Sequence, residues 1–566
     1  MNDKINFISL PNILITNKSA NIMSIYSYKI SGNIVDVVNK RIYKGTVSVE
    51  NGKIIALKEE NVIESQYILP GLIDAHVHIE SSMIIPSEFA RLAVVHGTVA
   101  TVSDPHEIGN VLGIEGVYFM IENGRKVPFK FYFGAPSCVP ATPFETSGAS
   151  IGVDEIDELL SKSEVKYLSE MMNFPGVLFN DEEVMQKLAV AKKHSKPVDG
   201  HAPGLKGDDA ARYVAAGITS DHECFTIEEA IDKINSGMLV QIREGSAAKN
   251  FEALIDLLRT HPDDIMLCSD DKHPNDLVKG HINQLVKRAI AKRYDPIAVL
   301  RACTFIPVKH YKLEVGLLQQ HDAADFIIVD NLQDFNIKKT YINGVKVAEN
   351  GTTFIKSVKE NLPNIFKANV ITAEDLKIAS KSDQIKVIKA LEGQLITECL
   401  IVSPKVENNY IVSDIKNDVL KIVVMNRYQQ SIPAIAFIKG FQLQKGALAS
   451  TVAHDSHNII AVGTNDEDIA TAINLVIQSK GGISLVNENE RYHLPLAVAG
   501  LMSADDGFEV ADNYDFIDKK AKEFGCKLNA PYMTLSFMAL LVIPELKLSD
   551  KGLFDGNKFE FTTLEK

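Results

Sequence analysis

Apolar and polar stretches alternate between about residues 68 and 320 in the manner of repeated strand–helix units. Eight short apolar runs are predicted as strands, with helical stretches between them such as 181–194, which carries Leu188 and Ala191 on its apolar side. Eight strands in roughly 250 residues match a (β/α)8 barrel, an α/β fold, and a doubly wound sheet is the alternative. No glycine-rich nucleotide-binding motif follows a strand, which favours the barrel. The predicted strands are 71–75, 98–103, 130–135, 165–169, 197–200, 218–221, 239–243 and 265–269.

Hairpin patterns occur on both sides of this segment. Asn51-Gly52 separates two apolar runs, and both residue types accept the positive φ of a tight hairpin turn. Asn343-Gly344 repeats the pattern beyond the barrel. We therefore expect a small composite β-sheet domain built from both flanks. The predicted domains are 1–67 with 321–365 for this sheet, 68–320 for the barrel and 366–566 for a C-terminal α+β domain.

The C-terminal part mixes strands with a well-defined amphipathic helix. A helix is predicted at 466–479, because Ile469, Ile473 and Val476 lie on one face and Gly481 follows its end. Predicted strands of this domain are 410–412, 420–424, 434–438 and 459–462.

Composition limits the possible partners. The 566 residues include 59 basic and 73 acidic side chains, a net charge of −14 without a basic cluster, so nucleic acid is not an expected partner. The six cysteines form no Cys-x-x-Cys pair, which argues against a disulfide framework or a thiolate zinc site. Residues 1–17 lack a signal-peptide pattern, and the longest apolar run, 532–543, is too short for a membrane span. We expect a cytoplasmic protein without a membrane partner.

Potential metal ligands stand at the ends of the predicted barrel strands. His76 and His78 are two residues apart, so on an extended strand both point to the same side. Taken alone, each histidine or carboxylate has a structural explanation, such as a hydrogen-bonded histidine or an aspartate that caps a helix. Strand ends of a barrel converge on one mouth, however, which favours a shared metal site. The predicted metal ligands are His76, His78, Glu170, His201, His222 and Asp270.

Six ligands indicate two divalent ions. A carboxylate such as Glu170 is able to bridge two cations, and cations acidify water strongly enough to make a nucleophile near neutral pH. Asp270 is then expected to take the water proton and to pass it to the leaving group. A nitrogen and oxygen ligand set suits zinc, iron or manganese, and the sequence does not choose among them.

Several motifs resemble a known family. "LPGLIDAHVHIESSM" (69–83) resembles the opening of the amidohydrolase superfamily. Other stretches resemble the bacterial adenine deaminase family within it, from about residue 30 to the end of the chain. They are "DPHEIGNV" (104–111), "EMMNFPGV" (170–177), "DGHAPGL" (199–205), "IREGSAAKN" (242–250), "CSDDKHP" (268–274), "VAHDSHNIIAVG" (452–463) and "VIPELKLSDKGLF" (542–554).

This resemblance implies conversion of adenine to hypoxanthine and ammonia in purine salvage, by a binuclear centre that typically holds iron or manganese. It also implies the six ligands proposed above. Many superfamily members bridge their metals with a carboxylated lysine on the fourth strand. Here Lys166 lies near the start of that strand and Glu170 closes it, so Glu170 is the expected bridge, as in adenine deaminases.

Attack on a purine ring requires a proton or hydrogen bond at a ring nitrogen, for which a carboxylic acid is the natural donor. Glu107 and Glu80 are the candidate acids, assisted by His106, although Glu107 would alternatively cap a helix. Asp271 is expected either to bind substrate or to cap a helix. The other predicted substrate-binding residues follow the seventh strand and are Arg243, Glu244 and Ser246, with Gly245 allowing a close backbone approach.

The tail carries His454, Asp455 and His457, which suggest a further metal site. No additional ligand lies nearby in the sequence, so we expect instead that the tail packs on the barrel mouth and helps to close it.

Two other functions remain open from the sequence. One is another hydrolase on the same barrel, a cyclic amidohydrolase or a deacetylase, for which an anion-binding arginine such as Arg243 would be suitable. The other is a non-catalytic binder of metal or purine. An acid directed at a ring nitrogen would favour deamination. The expected partners are a purine base and a second copy of the chain in a homodimer.

Overall fold

The computed structural model describes residues 27–566. The predicted domain that starts at residue 1 therefore lies partly outside the described residues, and so does the 1–17 segment. In the described part of the predicted sheet domain, one eight-stranded sheet contains strands from before and after the barrel in the sequence. The two sets of strands meet where Tyr67–Pro70 pairs with Phe326–Val329. Its strands are Ser27–Asp36, Arg41–Glu50, Lys53–Glu59, Tyr67–Pro70, Phe326–Val329, Ile337–Ile342, Val345–Glu349 and Thr352–Thr353. The domain boundaries themselves stay predictions.

Eight parallel strands form the central barrel. Backbone pairing joins neighbouring strands in chain order, and the Ala135–Leu168 bridge connects the third strand to the fourth. The eighth strand is extended by Asp270–Asp271, which pairs with Val77 and His78 of the first strand and closes the ring. In order, the strands are Leu72–His78, Thr98–Ser103, Lys130–Phe133, Leu168–Met171, Val198–Gly200, Ser220–Asp221, Leu239–Arg243 and Ile265–Cys268.

Helices surround these strands. The predicted helix 181–194 is observed as Glu182–Lys193, and the Asp181 carboxylate caps it by accepting from the Val184 amide. The other helices of this part are Ile79–Ser82 (a 3-10 turn), Pro86–Val94, His106–Leu112, Ile114–Gly124, Val153–Ser161, Phe174–Leu178, Gly207–Ala215, Ile227–Asn235, Phe251–Leu254, Leu257–Thr260, Pro274–Lys279, Ile282–Ala291, Pro296–Ala302 and Phe305–Tyr311.

The C-terminal part contains a mixed eight-stranded sheet whose core helix, Asp466–Gln478, packs Ile469, Ile473 and Val476 against it. The strands of this sheet are Ile385–Ala390, Thr397–Val402, Leu420–Met425, Ala434–Lys439, Ala447–Ser450, Ile459–Gly463, Gly482–Asn487 and Glu490–Pro495. Two three-stranded sheets contain Ile378–Ala379, Lys405–Glu407 and Tyr410–Val412, and Leu546–Ser549, Gly552–Asp555 and Glu560–Phe561. The remaining helices are Ala373–Leu376, Ile415–Asn417, Gly507–Glu523 and Pro531–Phe537.

The buried core runs from the barrel into the C-terminal sheet without interruption. One apolar cluster includes Phe89 and Met171 of the barrel together with Leu485 and Met533 of the C-terminal part. Buried apolar contact is the main stabilising term in folding, so the two parts stabilise each other. The C-terminal part is therefore held firmly against the barrel.

Candidate active site

The ends of the barrel strands bring the predicted metal ligands together. His76 and His78 lie on the first strand, and their Nε2 atoms are 3.2 Å apart. Asp270, at the end of the eighth strand, places Oδ1 3.3 Å from His78 Nε2 and 3.7 Å from His76 Nε2. Two imidazole nitrogens that face each other this closely share a proton or a cation.

Glu170 lies at the centre of the cluster. Its Oε2 is 2.9 Å from His201 Nδ1 and 3.1 Å from His222 Nε2. Its Oε1 is 3.5 Å from His78 Nε2 and 3.5 Å from His106 Nδ1. One carboxylate therefore faces imidazoles from four different strands or strand ends.

These residues fit divalent metal ions. All six predicted ligands are buried, and several groups of three have ligand atoms within 4.8 Å of one another. Nitrogen and oxygen donors without thiolates match manganese, iron or zinc. His201 Nε2 and His222 Nδ1 are buried without a hydrogen-bond partner in residues 27–566, which is costly in an apolar interior. Imidazoles and carboxylates gathered in this way are the usual ligands of such ions in hydrolytic barrels.

The carboxylates of the cluster stay ionised. Burial alone would raise the pKa of Glu170, but the imidazoles of His201 and His222 outweigh it and hold that pKa well below its usual range. Burial would also raise the pKa of Asp270, but the Arg243 guanidinium outweighs it and holds that pKa well below its usual range. Both groups are therefore charged ligands over the physiological pH range.

Arg243 is neutralised by two acids. Its guanidinium forms a two-bond pair with Glu223, with N–O distances of 2.6 and 2.8 Å, and also contacts Asp270. Glu223 was not predicted from the sequence, although it directly follows the ligand His222. Arg243 lines the pocket as predicted, and the charge of its guanidinium is balanced by the carboxylates of Glu223 and Asp270, although its Nε is buried without a partner among residues 27–566.

A buried network supports His76 from behind. Asp199 Oδ2 lies 3.7 Å from His76 Nδ1, and Asp199 accepts hydrogen bonds from the Tyr311 and Ser220 hydroxyls. Groups behind a metal-ligating histidine orient its ring and fix its tautomer. The sequence did not reveal this network, because Tyr311 lies 112 residues from Asp199.

Three of the predicted substrate-site residues face the cavity beside the cluster, namely His106, Glu107 and Asp271. Glu107 lies inside the first turn of helix His106–Leu112 and does not cap it. The Ser81 hydroxyl donates to Asp271 Oδ1 at 2.6 Å, and its oxygen also lies 3.2 Å from Glu107 Oε1. The two carboxylates therefore lie side by side on one wall.

Three other predicted residues lie away from this cavity. Glu244 forms an ion pair with Arg288, at 2.8 Å, and the Ser246 hydroxyl donates to Asp276, also at 2.8 Å. Glu244 and Ser246 are therefore outside the lining of this cavity, and their predicted contact with the substrate stays a prediction. Glu80 lies behind Glu107 and accepts from the Ile108 amide, so it too is outside the cavity lining.

The C-terminal part provides the opposite wall. His454 and Asp455 face the cavity, together with the apolar side chains of Leu395, Phe537 and Leu540. The buried Lys547 amine donates to the carbonyls of Leu395 and Phe537, at 2.7 and 2.9 Å. Burial without an acidic partner lowers the pKa of Lys547 to about 7. The tail thus packs on the barrel mouth, as expected from the sequence.

Comparison with known proteins identifies the family. Residues 67–347 match the amidohydrolase family, and residues 394–560 match the adenine deaminase C-terminal domain. An adenine deaminase from Methanosarcina mazei is 52% identical over 549 residues, covering 95% of this chain and 99% of that protein. The chain belongs to the adenine deaminase family. Adenine deaminases from Salinibacter ruber and Sulfurovum sp. are 52% and 54% identical, covering 94% of this chain and 98% and 99% of theirs.

Membership of the adenine deaminase family confirms the resemblance predicted from the motifs, and the matched amidohydrolase region coincides with the observed barrel. The predicted fold class is confirmed as well. Among residues 27–566, no helix is long and apolar enough to cross a membrane.

Proposed function

We propose that this member of the adenine deaminase family hydrolyses adenine to hypoxanthine and ammonia, a reaction of purine salvage. One observation carries the choice among amidohydrolase reactions. A buried carboxyl group, Glu107, faces the cavity beside the ligand cluster, whereas Arg243 is occupied by Glu223 and Asp270. An acid beside the reacting ring favours deamination, and an arginine whose charge is already balanced by two carboxylates is a weak site for the anionic substrate of a cyclic amidohydrolase.

Two divalent ions would be held by His76, His78, Glu170, His201, His222 and Asp270, and Glu170 lies at the centre of this set. Manganese or iron is the proposed native metal, and zinc is compatible with the same donors. When bound, such ions supply an acidified water and stabilise negative charge in the transition state.

The side chains of the chain have separate roles in the proposed reaction. The oxygen of water adds to C6 of adenine, and the bond from C6 to the exocyclic nitrogen breaks. Asp270 accepts a proton from the water and returns it to the departing amino group, which leaves as ammonia. Glu107 donates a proton to a ring nitrogen, so that the purine accepts electron density as the water adds, and it recovers a proton from the added hydroxyl when the carbon–oxygen double bond forms. Burial raises the pKa of Glu107, which suits this donor role.

The proposed activity is tested by ammonia release from adenine. Protein loaded with manganese should release ammonia and hypoxanthine in equal amounts, and chelator-treated protein should do so only after metal is restored. Metal content is measured on the same preparations, with two ions per chain expected. Dihydroorotate and an N-acetylated amino sugar serve as comparison substrates. Turnover of either one without turnover of adenine would refute the assignment, and binding of adenine without turnover would identify a non-catalytic binder.

Glu107 and Glu80 are distinguished by matched substitutions. Glu107→Gln is expected to lower kcat for adenine by about 100-fold or more, which is typical of a lost general acid. Glu80→Gln is expected to lower it by less than about 10-fold, because Glu80 lies behind the cavity and bonds to the Ile108 amide. Steady-state kinetics with equal metal content give the answer. A larger loss for Glu80→Gln would assign the acid role to Glu80.

The cytoplasmic location and the homodimer expected from the sequence stay predictions. Gel filtration with light scattering tests the homodimer.

A further inference from the structure

Two consecutive C-terminal residues meet two consecutive barrel residues across the cavity. His454 Nδ1 lies 3.2 Å from Glu107 Oε1, and Asp455 Oδ1 lies 3.7 Å from His106 Nε2. All four side chains are buried and line the same cavity. We call these four residues the cross-domain cluster.

The ring of His454 is held in a defined orientation. It stacks on Phe537, with ring centroids 4.9 Å apart and an angle of 21° between the planes. The Ser536 hydroxyl lies 3.4 Å from the His454 amide nitrogen, which donates to it. A ring fixed in this way costs little further entropy when it binds a ligand.

Several polar atoms of the cluster lack a protein partner. Glu107 Oε2, His454 Nε2 and Asp455 Oδ2 are buried without a hydrogen bond to any of residues 27–566. An unsatisfied buried polar atom costs about 1–3 kcal/mol, so such atoms gather where a ligand or water satisfies them. Their position on a cavity next to the metal ligands indicates a ligand of the active site.

The size of the cavity makes contact with this cluster unavoidable. It has a volume of about 30 Å³ and is lined on one side by the metal-ligand cluster and on the other by side chains of the C-terminal part. A purine that enters beside Glu170 must therefore displace and touch side chains of both walls. His454 and Phe537 form the nearest aromatic surface on the C-terminal wall.

Given the deaminase activity proposed above, we propose that His454 is a substrate-contacting residue that hydrogen-bonds a ring nitrogen of the purine. The C-terminal domain then completes the active site, and Glu107 holds the imidazole in place. A third cation bound by Glu107, Asp271 and His454 is the competing explanation. The Ser81 hydroxyl donates to Asp271 Oδ1, and Glu107 Oε1 faces His454 Nδ1, so both oxygens already have a protein partner, which favours a hydrogen-bonding ligand over a cation.

The test combines substitutions of His454 with purine analogues that each lack one ring nitrogen. We would measure kcat/KM for adenine and inhibition constants for 1-deaza-, 3-deaza- and 7-deazaadenine, for wild type and His454→Ala. His454→Ala should lower kcat/KM for adenine by roughly 10- to 100-fold. It should raise the inhibition constants of two of the analogues by a similar factor. The inhibition constant of the third analogue, which lacks the contacted nitrogen, should change by less than about 2-fold.

The matched control is His493→Ala. His493 belongs to the same domain, bonds to the Ser479 hydroxyl at 2.9 Å and lies outside the cavity, so its loss should leave all four constants unchanged. Equal weakening of all three analogues by His454→Ala, or no weakening, would overturn the proposal. Loss of one metal equivalent in His454→Ala would also overturn it and would favour the third cation.

A second variant covers the case in which His454→Ala does not fold. His454→Gln keeps a polar side chain of similar length, and its kcat/KM should lie between those of wild type and His454→Ala. Wild type alone provides a further check, since equal inhibition by the three deaza analogues would exclude a ring-nitrogen contact. If metal-loaded wild type does not turn over adenine at all, the proposed function is refuted. This outcome differs from failure of the His454 proposal, in which wild type stays active.

Discussion

Asp270→Asn is expected to lower kcat for adenine by about 1,000-fold or more, while a purine still binds. Loss of a positioned proton carrier alone costs 100- to 10,000-fold, and about 1,000-fold corresponds to roughly 4 kcal/mol of activation free energy. Asparagine keeps the shape of the side chain, but it cannot accept the proton that leaves the water. Its neutral amide also leaves Arg243 with one acid, Glu223, instead of two.

The measurement separates binding from turnover. Hypoxanthine affinity should stay within about threefold of wild type, because the proposed contacts to the purine ring come from Glu107 and His454 and not from Asp270, whereas kcat falls. Asp512→Asn is the matched control, since Asp512 is exposed on helix Gly507–Glu523. An Asp270→Asn variant that keeps a tenth of the wild-type kcat would exclude the proton-carrier role.

The barrel and the positions of the ligands were predictable from local patterns. Alternation along a strand decides which side chains share a face, so His76 and His78 follow from their spacing alone. Parallel strands of a barrel end at one mouth, which brings Glu170 and Asp270 near them although 100 residues separate these two in the sequence. The ends of short strands were predicted less accurately. The strand Ser220–Asp221, for example, was predicted at 218–221.

The second layer of the site was not predictable in the same way. Glu244 follows the seventh strand as a substrate residue would, but Arg288 on helix Ile282–Ala291 attracts its carboxylate away from the cavity. Ser246 is similarly held by Asp276. These partners lie 44 and 30 residues further along the chain, beyond the range of strand or helix periodicity.

The C-terminal wall depends on contacts between residues that are even further apart in the sequence. Glu107 and His454 meet although 347 residues separate them, and no periodic pattern links a barrel helix to that loop. The signal available in the sequence was chemical. His454, Asp455 and His457 are three titratable residues within four positions, and such groups are rarely buried together without a partner or a ligand.

Glu170→Gln is expected to have the second large effect, on metal content as well as on turnover. Glu170 faces His78, His201 and His222, and its negative charge offsets the positive charge that two cations would bring into this buried site. Glutamine has nearly the same size but no charge, and its amide nitrogen is not a metal ligand. We expect metal content to fall from two ions per chain to one or fewer, and kcat to fall by about 1,000-fold or more.

Metal analysis after equal loading, together with kcat, decides this prediction, and Glu183→Gln on the exposed face of helix Glu182–Lys193 is the control. A ligand that binds only the folded state stabilises it by mass action, about 2.7 kcal/mol at 100 times its dissociation constant. Added manganese should therefore raise the apparent Tm of wild type and Glu183→Gln more than that of Glu170→Gln. Two ions per chain and an equal rise in Tm in Glu170→Gln would show that the carboxylate is not shared between cations, and the loss of turnover would then need another cause.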